Sequence, residues 1–359
     1  MTTRWKVVRT DRELELTRVD ARLRELGAEV TLLHDATPED ELLRQLADAD
    51  LLLMCYARIT RRAIEAAPRL RGIVKYGVGI DAIDIDAARE HGIAVVNVPQ
   101  YAEETVAEGA FGLLLALFKR FKPIQRAMEV QGWAWPEPRW LGNDLAGKVL
   151  GIVGLGRIGR NMARMAAAFR MQVLAYDPGL TRADMPPGVT LCEGLDAMLA
   201  ACDAVSIHAV LNPQTRHLID ASRLACMKPS AFLVNVSRGE IVDEAALLAA
   251  LQQGRIAGAA LDVYAQEPLA RAGHALGALY AMDNVMLWPH LTFYTEEAMQ
   301  RLEQETLERC VEALEGRPLT VKSHDPRLRA QTRGVRFEPG TARRIGACLP
   351  MRIWRFVFS

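Results

Sequence analysis

The sequence has no excess of charge of either sign and no apolar run long enough to cross a bilayer. Its 359 residues include 44 lysines and arginines and 44 aspartates and glutamates, so the formal net charge is zero. This balance gives no broad attraction to nucleic acid or to a membrane surface, and we expect neither as a partner. The longest apolar runs, such as residues 111–118, fall far short of the roughly 20 residues that a spanning helix needs.

Cysteines and histidines show none of the spacings that hold metals or build disulfide frameworks. The six cysteines contain no C-x-x-C pair, and the seven histidines contain no H-E-x-x-H pair. The first residues carry no apolar region typical of a signal peptide. We therefore expect a cytoplasmic protein with reduced cysteines and without a metal.

Short apolar runs alternate with amphipathic stretches in two successive series. The first series covers residues 5–100, and the second begins at Lys148. The candidate strands of the second series are Val149–Val153, Gln172–Tyr176, Ala204–His208, Phe232–Val236, Ala259–Val263 and Val285–Leu287. Strands alternating with helices are typical of an α/β protein with doubly wound parallel sheets, and the length allows two such domains.

The C-terminal end lacks this periodicity. From Arg327 onward there are eight arginines, no lysine and one acidic residue, which gives this part a charge of +7. A segment with high net charge and no repeating apolar face does not bury enough surface to form a core. The sequence therefore predicts a packed fold that is complete by about Lys322 and a basic, disordered tail at 326–359.

A glycine-rich loop, Gly154-Leu155-Gly156-Arg157-Ile158-Gly159, lies between a candidate strand and a candidate helix. In a dinucleotide-binding loop the first glycine permits a tight turn, the second lets the backbone approach the pyrophosphate, and the third allows close packing of helix and strand. Asp177 ends the next strand, where a carboxylate binds the ribose hydroxyls and repels a 2′-phosphate. The pattern predicts NAD as the cofactor in preference to NADP.

Arg238, Glu267 and His290 each lie just past the end of a short apolar run. The ends of successive strands share one edge of a parallel sheet, so these side chains are expected near the dinucleotide. A guanidinium binds a carboxylate in two hydrogen bonds, and an imidazolium beside a carboxylate gives a proton to a nascent alkoxide. The three together indicate hydride transfer to a small anionic carbonyl compound.

These residues lie in motifs that resemble the D-isomer-specific 2-hydroxyacid dehydrogenases, a family that includes D-3-phosphoglycerate, D-lactate, glyoxylate and hydroxypyruvate enzymes. The resemblance runs from about Lys75 to Pro318. Its motifs are Gly77–Asp81, Asn97–Pro99, Val106–Glu108, Gly147–Gly159, Tyr176–Pro178, Ser237–Gly239, Ala260–Val263, Glu267-Pro268 and Pro289-His290.

The resemblance implies a role for each residue of the site. Arg238 would hold and polarise a small 2-oxo acid, and His290 would act as acid and base, assisted by Glu267. The implied cofactor contacts, besides the loop glycines and Asp177, are Arg157, Ile158, Val236, Ser237 and Asp262, the last near the nicotinamide carboxamide. The implied substrate contacts, besides Arg238, are Val78, Gly79, Tyr101 and Tyr294.

The resemblance also implies a discontinuous arrangement. A flavodoxin-like substrate-binding domain would comprise residues 1–100 and 291–325, and a Rossmann NAD-binding domain would comprise 101–290, with the active-site cleft between them. A homodimer is expected, formed through the cofactor domain and the Trp/Pro-rich segment 133–140.

Some positions depart from the family pattern and leave the substrate open. Gly109 stands where many members carry histidine. Tyr101 and Phe293-Tyr294-Thr295 resemble the D-lactate branch, whereas Gly77–Asp81 and the segment 133–140 resemble the phosphoglycerate and glyoxylate branches. An NAD(H)-sensing binding protein, like the corepressors that resemble this family, is the alternative function. Formate or phosphite oxidation is less favoured, because formate enzymes of the superfamily pair the histidine with glutamine.

Overall fold

The structure is a computed structural model that describes residues 5–35 and 37–338. These residues form two units, which are described separately. The first contains residues 5–99 and 301–338, and the second contains Gln100–Gln300. No helix of the described residues is both long enough and apolar enough to cross a membrane. Nor do the side chains in these ranges form a group of three or more histidine, cysteine, aspartate or glutamate residues that could hold a metal.

The first unit begins with five strands that alternate with four helices. In chain order they are β1 (Trp5–Arg9), α1 (Thr17–Glu25), β2 (Ala28–Leu32), α2 (Glu39–Leu46), β3 (Leu51–Met54), α3 (Arg61–Glu65), β4 (Gly72–Lys75), α4 (Ile85–Glu90) and β5 (Ala94–Asn97). All pairings are parallel, in the order β2-β1-β3-β4-β5. This is the flavodoxin-like order, so the predicted parallel α/β sheet is confirmed.

The second unit contains a seven-stranded parallel sheet. Its elements are α5 (Glu103–Phe118), α6 (Phe121–Gln131), β6 (Val149–Val153), α7 (Arg157–Ala168), β7 (Gln172–Tyr176), β8 (Val189–Leu191), α8 (Leu195–Ala201), β9 (Ala204–Ile207), α9 (Ala221–Cys226), β10 (Phe232–Asn235), α10 (Glu244–Gln252), β11 (Gly258–Leu261) and β12 (Val285–Leu287). The strand order β12-β11-β10-β9-β6-β7-β8 reverses between β6 and β9. A Rossmann fold binds its dinucleotide at this switch point.

Both faces of this sheet are covered, which explains why its strands are apolar throughout. Successive side chains of a strand point to opposite faces. Leu233 of β10 belongs to a core cluster with residues of α8, α9 and α10, whereas Phe232 and Val234 belong to a second cluster with residues of α5 and α7. A strand buried on both faces reads as a continuous apolar run, and this is the pattern that the sequence shows.

The last elements of the described residues are α11 (Glu296–Leu314), β13 (Leu319–Val321), α12 (Pro326–Arg329) and β14 (Val335–Phe337). Residues 291–300, which the sequence assigned to the substrate-binding domain, belong instead to the second unit. The reason is local: the N–H groups of Leu291 and Thr292 donate to the carboxylate of Asp262, at the end of β11.

The prediction of a disordered tail from residue 326 is wrong for residues 326–338. Leu328 is fully buried, and β14 pairs in parallel with β13. Arg336 donates to the buried Glu312 at 2.9 Å, so a charge that was counted as solvated has a partner. The packed fold therefore extends beyond Lys322. The rest of the predicted tail, 339–359, lies outside the described residues.

Candidate active site

The glycine loop connects β6 to α7 and has three different environments at its three glycines. Gly154 has a φ of +90°, and a Cβ there would lie 2.6 Å from the amide nitrogen of Ala209. A Cβ at Gly159 would lie 2.3 Å from the carbonyl oxygen of Gly154. A Cβ at Gly156 would meet nothing within 4 Å. The loop therefore has a tight turn, an open side and a close helix contact, which suits a pyrophosphate at the N-terminus of α7.

Asp177 follows β7, and its carboxylate is tied to the glycine loop. Oδ2 accepts a hydrogen bond of 2.9 Å from the N–H of Leu155, and Oδ1 accepts one of 3.0 Å from the N–H of Gly179. Each oxygen has a second lone pair, which leaves acceptor capacity for ribose hydroxyls. The sequence did not indicate that Asp177 also orders the loop.

The other predicted cofactor residues of this region lie around the start of α7. Ile158 is partly buried and packs against the core cluster that contains Val236, which is 8% exposed. The Arg157 guanidinium lies 2.8 Å from the carboxylate of Glu103, at the beginning of α5. Burial raises the pKa of Glu103, and the charge of Arg157 offsets part of that rise. Arg157 thus joins α7 to α5 beside the glycine loop.

Arg238 lies in a turn after β10 that Asn235 holds in place. Asn235 is 1% exposed; its Oδ1 accepts from the N–H of Ser237 at 3.1 Å, and its Nδ2 donates to the carbonyl of Arg238 at 2.9 Å. The Ser237 hydroxyl donates to the carbonyl of Ala209. Sequence reasoning missed Asn235, although a polar residue inside the apolar run Phe232–Val236 was the available signal.

Gly239 brings this turn against the loop that carries Glu267. A Cβ at Gly239 would lie 2.0 Å from the carbonyl carbon of Tyr264 and 2.1 Å from the amide nitrogen of Ala265. No side chain fits at this separation. Only glycine after Arg238 therefore lets the β10 and β11 loops approach so closely.

His290 and Glu267 form a hydrogen-bonded pair. Nδ1 of His290 lies 2.9 Å from Oε2 of Glu267, and Oε1 accepts from the N–H of Tyr264 at 2.9 Å. The side chains of His290 and Glu267 are 26% and 31% exposed. Burial raises the pKa of Glu267, but hydrogen bonding and charge from His290, the Tyr264 N–H and the charge of Arg238 together lower it below its ordinary value. The structure thus brings all three predicted catalytic residues together.

Asp262 fixes the backbone that follows His290. It is 1% exposed; Oδ1 accepts from the N–H of Leu291 at 2.8 Å, and Oδ2 accepts from the N–H and hydroxyl of Thr292 at 3.2 and 2.5 Å. His290 has a φ of +58°, in the left-handed region, where a non-glycine residue needs such support. Asp262 therefore acts on the orientation of His290, a role that the sequence did not indicate. Its implied contact with the nicotinamide stays a prediction.

The glycine at position 109 has a packing reason. A Cβ there would lie 2.8 Å from Cβ and 3.2 Å from the carbonyl oxygen of Thr292. Helix α5 thus approaches the turn after His290 too closely for any larger residue. The close approach of Thr292 therefore explains why position 109 is glycine here and not the histidine of many family members.

Aromatic rings surround the residues that follow His290. Phe293 has ring centroids at 6.0 Å from Tyr101, 6.4 Å from His290 and 5.9 Å from Tyr294, all in edge contacts. Tyr101 is 7% exposed, whereas Tyr294 is 50% exposed. Two of the implied substrate residues therefore contact the ring that packs beside His290.

Val78 and Gly79 lie in the first unit, in the loop after β4. The carbonyl of Val78 accepts from Nδ2 of Asn97 at 2.6 Å. The N–H groups of Val78 and Gly79 donate to no other described residue. At the end of β4, the buried Lys75 donates to the carbonyl of Cys55 at 2.6 Å. The two N–H groups thus remain available as donors, and their contact with a substrate stays a prediction.

The chain is similar to known proteins over most of its length. Residues 111–292 match the family model described as D-isomer specific 2-hydroxyacid dehydrogenase, NAD binding domain. A glyoxylate reductase of Thermofilum pendens is 40% identical over 282 residues, which cover 77% of this chain and 82% of that protein. A D-3-phosphoglycerate dehydrogenase of Methanocaldococcus jannaschii is 39% identical over 280 residues, which cover 77% of this chain. The chain spans about half the length of that relative, 52%.

Solved structures resemble the chain over most of its length. A Thermus thermophilus protein matches with a TM-score of 0.79 and 36% identity, over 87% of this chain and 97% of that chain. A D-lactate dehydrogenase from Aquifex aeolicus, complexed with NAD and lactic acid, matches with a TM-score of 0.77 and 30% identity, over 86% and 96% of the two chains.

Proposed function

Because the chain belongs to the D-isomer specific 2-hydroxyacid dehydrogenase family and carries its NAD binding domain, we propose that it reversibly reduces a small 2-oxo acid to the D-2-hydroxy acid. The observation that carries the proposal is the His290–Glu267 pair at 2.9 Å, with the charge of Arg238 acting on the same carboxylate. The glycine loop and Asp177 would hold NADH, which would supply the hydride.

Arg238 would bind and polarise the substrate. Its planar guanidinium can donate two parallel hydrogen bonds to a carboxylate, which places positive charge beside the neighbouring carbonyl. The Asn235 amide and the close contact of Gly239 hold the backbone of this turn. In the first unit, the N–H groups of Val78 and Gly79 are proposed as further donors to the substrate carboxylate.

His290 would give the proton in the reduction direction and take it back in oxidation. As the carbonyl oxygen gains negative charge, the imidazolium donates from Nε2, and Glu267 stabilises the cation through Nδ1. Glu267 is ionised near neutral pH because the sum of its interactions lowers its pKa. Asp262 fixes the turn after His290 and so limits the movement of the ring.

The Glu267→Gln substitution should change the pH dependence of reduction. Glutamine keeps the shape and an acceptor oxygen but loses the charge that favours the imidazolium. Reduction should then fail at a lower pH than in the parent protein, so the alkaline limb of its rate profile should move to lower pH. We would measure kcat/KM for reduction from pH 5 to 9 in both proteins. Superimposable profiles would show that Glu267 only holds the loop.

The Asp177→Ser substitution should narrow the preference for NADH over NADPH by about tenfold or more, since a charge-assisted hydrogen bond contributes about 1.5–3 kcal/mol. The serine removes both the bonds to the ribose and the repulsion of a 2′-phosphate. Affinity for both cofactors should fall, because Asp177 also accepts from Leu155; the ratio of the two kcat/KM values is therefore the measurement. Glu193→Ser removes an exposed carboxylate of the same unit and should leave the ratio unchanged. A parent enzyme that prefers NADPH would contradict the assignment.

We propose a homodimer that forms through the segment after α6. Trp133, Trp135 and Leu141 are 58%, 73% and 74% exposed. Large exposed apolar side chains close together in sequence are typical of an interface. Sedimentation equilibrium of the full chain should give twice the monomer mass, and a monomer at micromolar concentration would contradict the proposal.

A cytoplasmic location is also proposed. It is supported by the cysteines, none of which forms a disulfide within the described residues, as expected of a reducing compartment. Recovery of the protein in an extracytoplasmic fraction would contradict it.

The decisive experiment is a screen of NADH oxidation with glyoxylate, hydroxypyruvate, pyruvate, phenylpyruvate and 3-phosphohydroxypyruvate. Turnover of at least one compound is expected, and the order of kcat/KM identifies the substrate class. Tight NADH binding with no turnover of any of the five would favour the NAD(H)-sensing binding protein instead.

A further inference from the structure

The loop Gly77–Asp81, called the substrate loop below, is held at its beginning by β5 and the residue after it. The carbonyl of Gly77 accepts from the N–H of Val98 at 3.1 Å. The carbonyl of Val78 accepts from the side chain of Asn97 at 2.6 Å. Both bonds use carbonyl groups, so the N–H groups proposed to bind the substrate carboxylate are left as donors. The far end of the loop is Asp81, whose carboxylate is 25% exposed.

Arg327 of α12 lies at this far end of the substrate loop. Its Nη2 is 3.6 Å from Oδ1 of Asp81. Asp325 orients the guanidinium, because its two oxygens accept from Nε and Nη2 of Arg327 at 3.0 and 2.8 Å. Asp325 also accepts from the backbone N–H of Arg327 at 2.9 Å, as the N-cap of α12. Asp325 thus fixes the orientation of the guanidinium that contacts Asp81.

The segment that carries Arg327 is itself anchored to β5. Leu328 is fully buried. The carboxamide of Gln331 accepts from the N–H of Val95 at 2.7 Å and donates to the carbonyl of Val95 at 2.9 Å. This side chain pairs with the outer edge of β5, the last strand of its sheet, as another strand would. Strand β5 therefore supports both the substrate loop, through Asn97, and the C-terminal segment.

We propose that the segment Asp325–Gln331 positions the substrate loop, and that Arg327 is the residue through which it acts. The inference rests on the proposed function, because its kinetic measurement is the binding of a 2-oxo acid. Donors that are held in the binding geometry bind more tightly than donors that must be ordered at each encounter. An ion pair of this exposure changes such an equilibrium by about two- to fivefold.

The Arg327→Gln substitution should raise KM for the 2-oxo acid by about two- to fivefold and leave kcat and the KM for NADH unchanged. The matched control is Arg333→Gln, which removes the same charge from an exposed position six residues further along and should have no effect. Asp81→Asn should raise KM to a similar extent, and the double variant should be no worse than either single variant. Unchanged KM in Arg327→Gln, an equal effect in Arg333→Gln, or additive effects of the two loop substitutions would each overturn the inference.

Hydrogen exchange separates a failure of this inference from a failure of the proposed function. The amides of the substrate loop should exchange faster in Arg327→Gln than in the parent protein, and at the parental rate in Arg333→Gln. This measurement needs no substrate. A parent protein without dehydrogenase activity but with the expected change in exchange would contradict only the proposed function. An active parent whose substrate loop exchanges equally in all three proteins would contradict only the positioning role.

Discussion

Replacing His290 by alanine is expected to lower kcat for reduction by about 10²–10⁴-fold, the usual contribution of a positioned acid or base. The affinity for NADH should stay close to that of the parent protein. The imidazole follows β12, whereas the glycine loop and Asp177, which are proposed to bind the pyrophosphate and the ribose, follow β6 and β7. The measurements are single-turnover rates with a substrate from the screen and the dissociation constant of NADH from protein fluorescence.

The chain offers a matched control for this substitution. Nδ1 of His34 lies 2.6 Å from a carboxylate oxygen of Glu13 in the first unit, and the two side chains are 54% and 47% exposed. The pair repeats the hydrogen bond of His290–Glu267 outside the NAD binding domain, with the Arg12 guanidinium 3.8 Å from the Glu13 carboxylate, and His34→Ala should leave turnover unchanged. Near-parental kcat in His290→Ala, or an equal loss in both variants, would show that His290 is not the acid.

The features predicted correctly from the sequence are those that local patterns in the sequence indicate. The glycine loop was recognised from the spacing of its glycines and from the strand and helix patterns on either side of it, although the close contact at Gly154 is with the distant Ala209. Arg238, Glu267 and His290 were predicted to lie near one another because each follows an apolar run, and the carboxyl ends of parallel strands share an edge. Strand β8 was missed, because three residues at a sheet edge, Val189–Leu191, carry no clear periodicity.

The features that sequence reasoning missed depend on contacts between distant segments. The role of Asp262 requires the turn that lies 29 residues further along the chain. The need for glycine at position 239 arises from the backbone of Tyr264 and Ala265. In the C-terminal segment, the composition shows the positive charge of Arg336 but not that this charge pairs with the carboxylate of Glu312. Net charge predicts disorder only where the charges have no such partners.

Replacing Arg238 by alanine is expected to reduce kcat/KM by more than the loss of a single hydrogen bond would. Hydrogen bonds to charged groups contribute about 1.5–3 kcal/mol each, so the loss of a two-bonded carboxylate contact costs about 3–6 kcal/mol, or roughly 10²–10⁴-fold in kcat/KM. The lost anchoring should appear as a higher KM, and the lost polarisation of the carbonyl as a lower kcat. Steady-state kinetics at saturating NADH separates the two effects.

Arg238→Lys distinguishes charge from geometry. Lysine keeps the positive charge but lacks the planar fork, so it should retain part of the polarisation and lose the two-bonded contact. Its kcat/KM should therefore lie between those of the parent and of Arg238→Ala. Arg182, whose side chain is 83% exposed and paired with Glu193, provides the control, and Arg182→Ala should leave both kinetic constants unchanged. A parental kcat/KM in Arg238→Lys would show that the planar guanidinium makes no specific contact. A parental kcat/KM in Arg238→Ala would show that Arg238 does not bind the substrate.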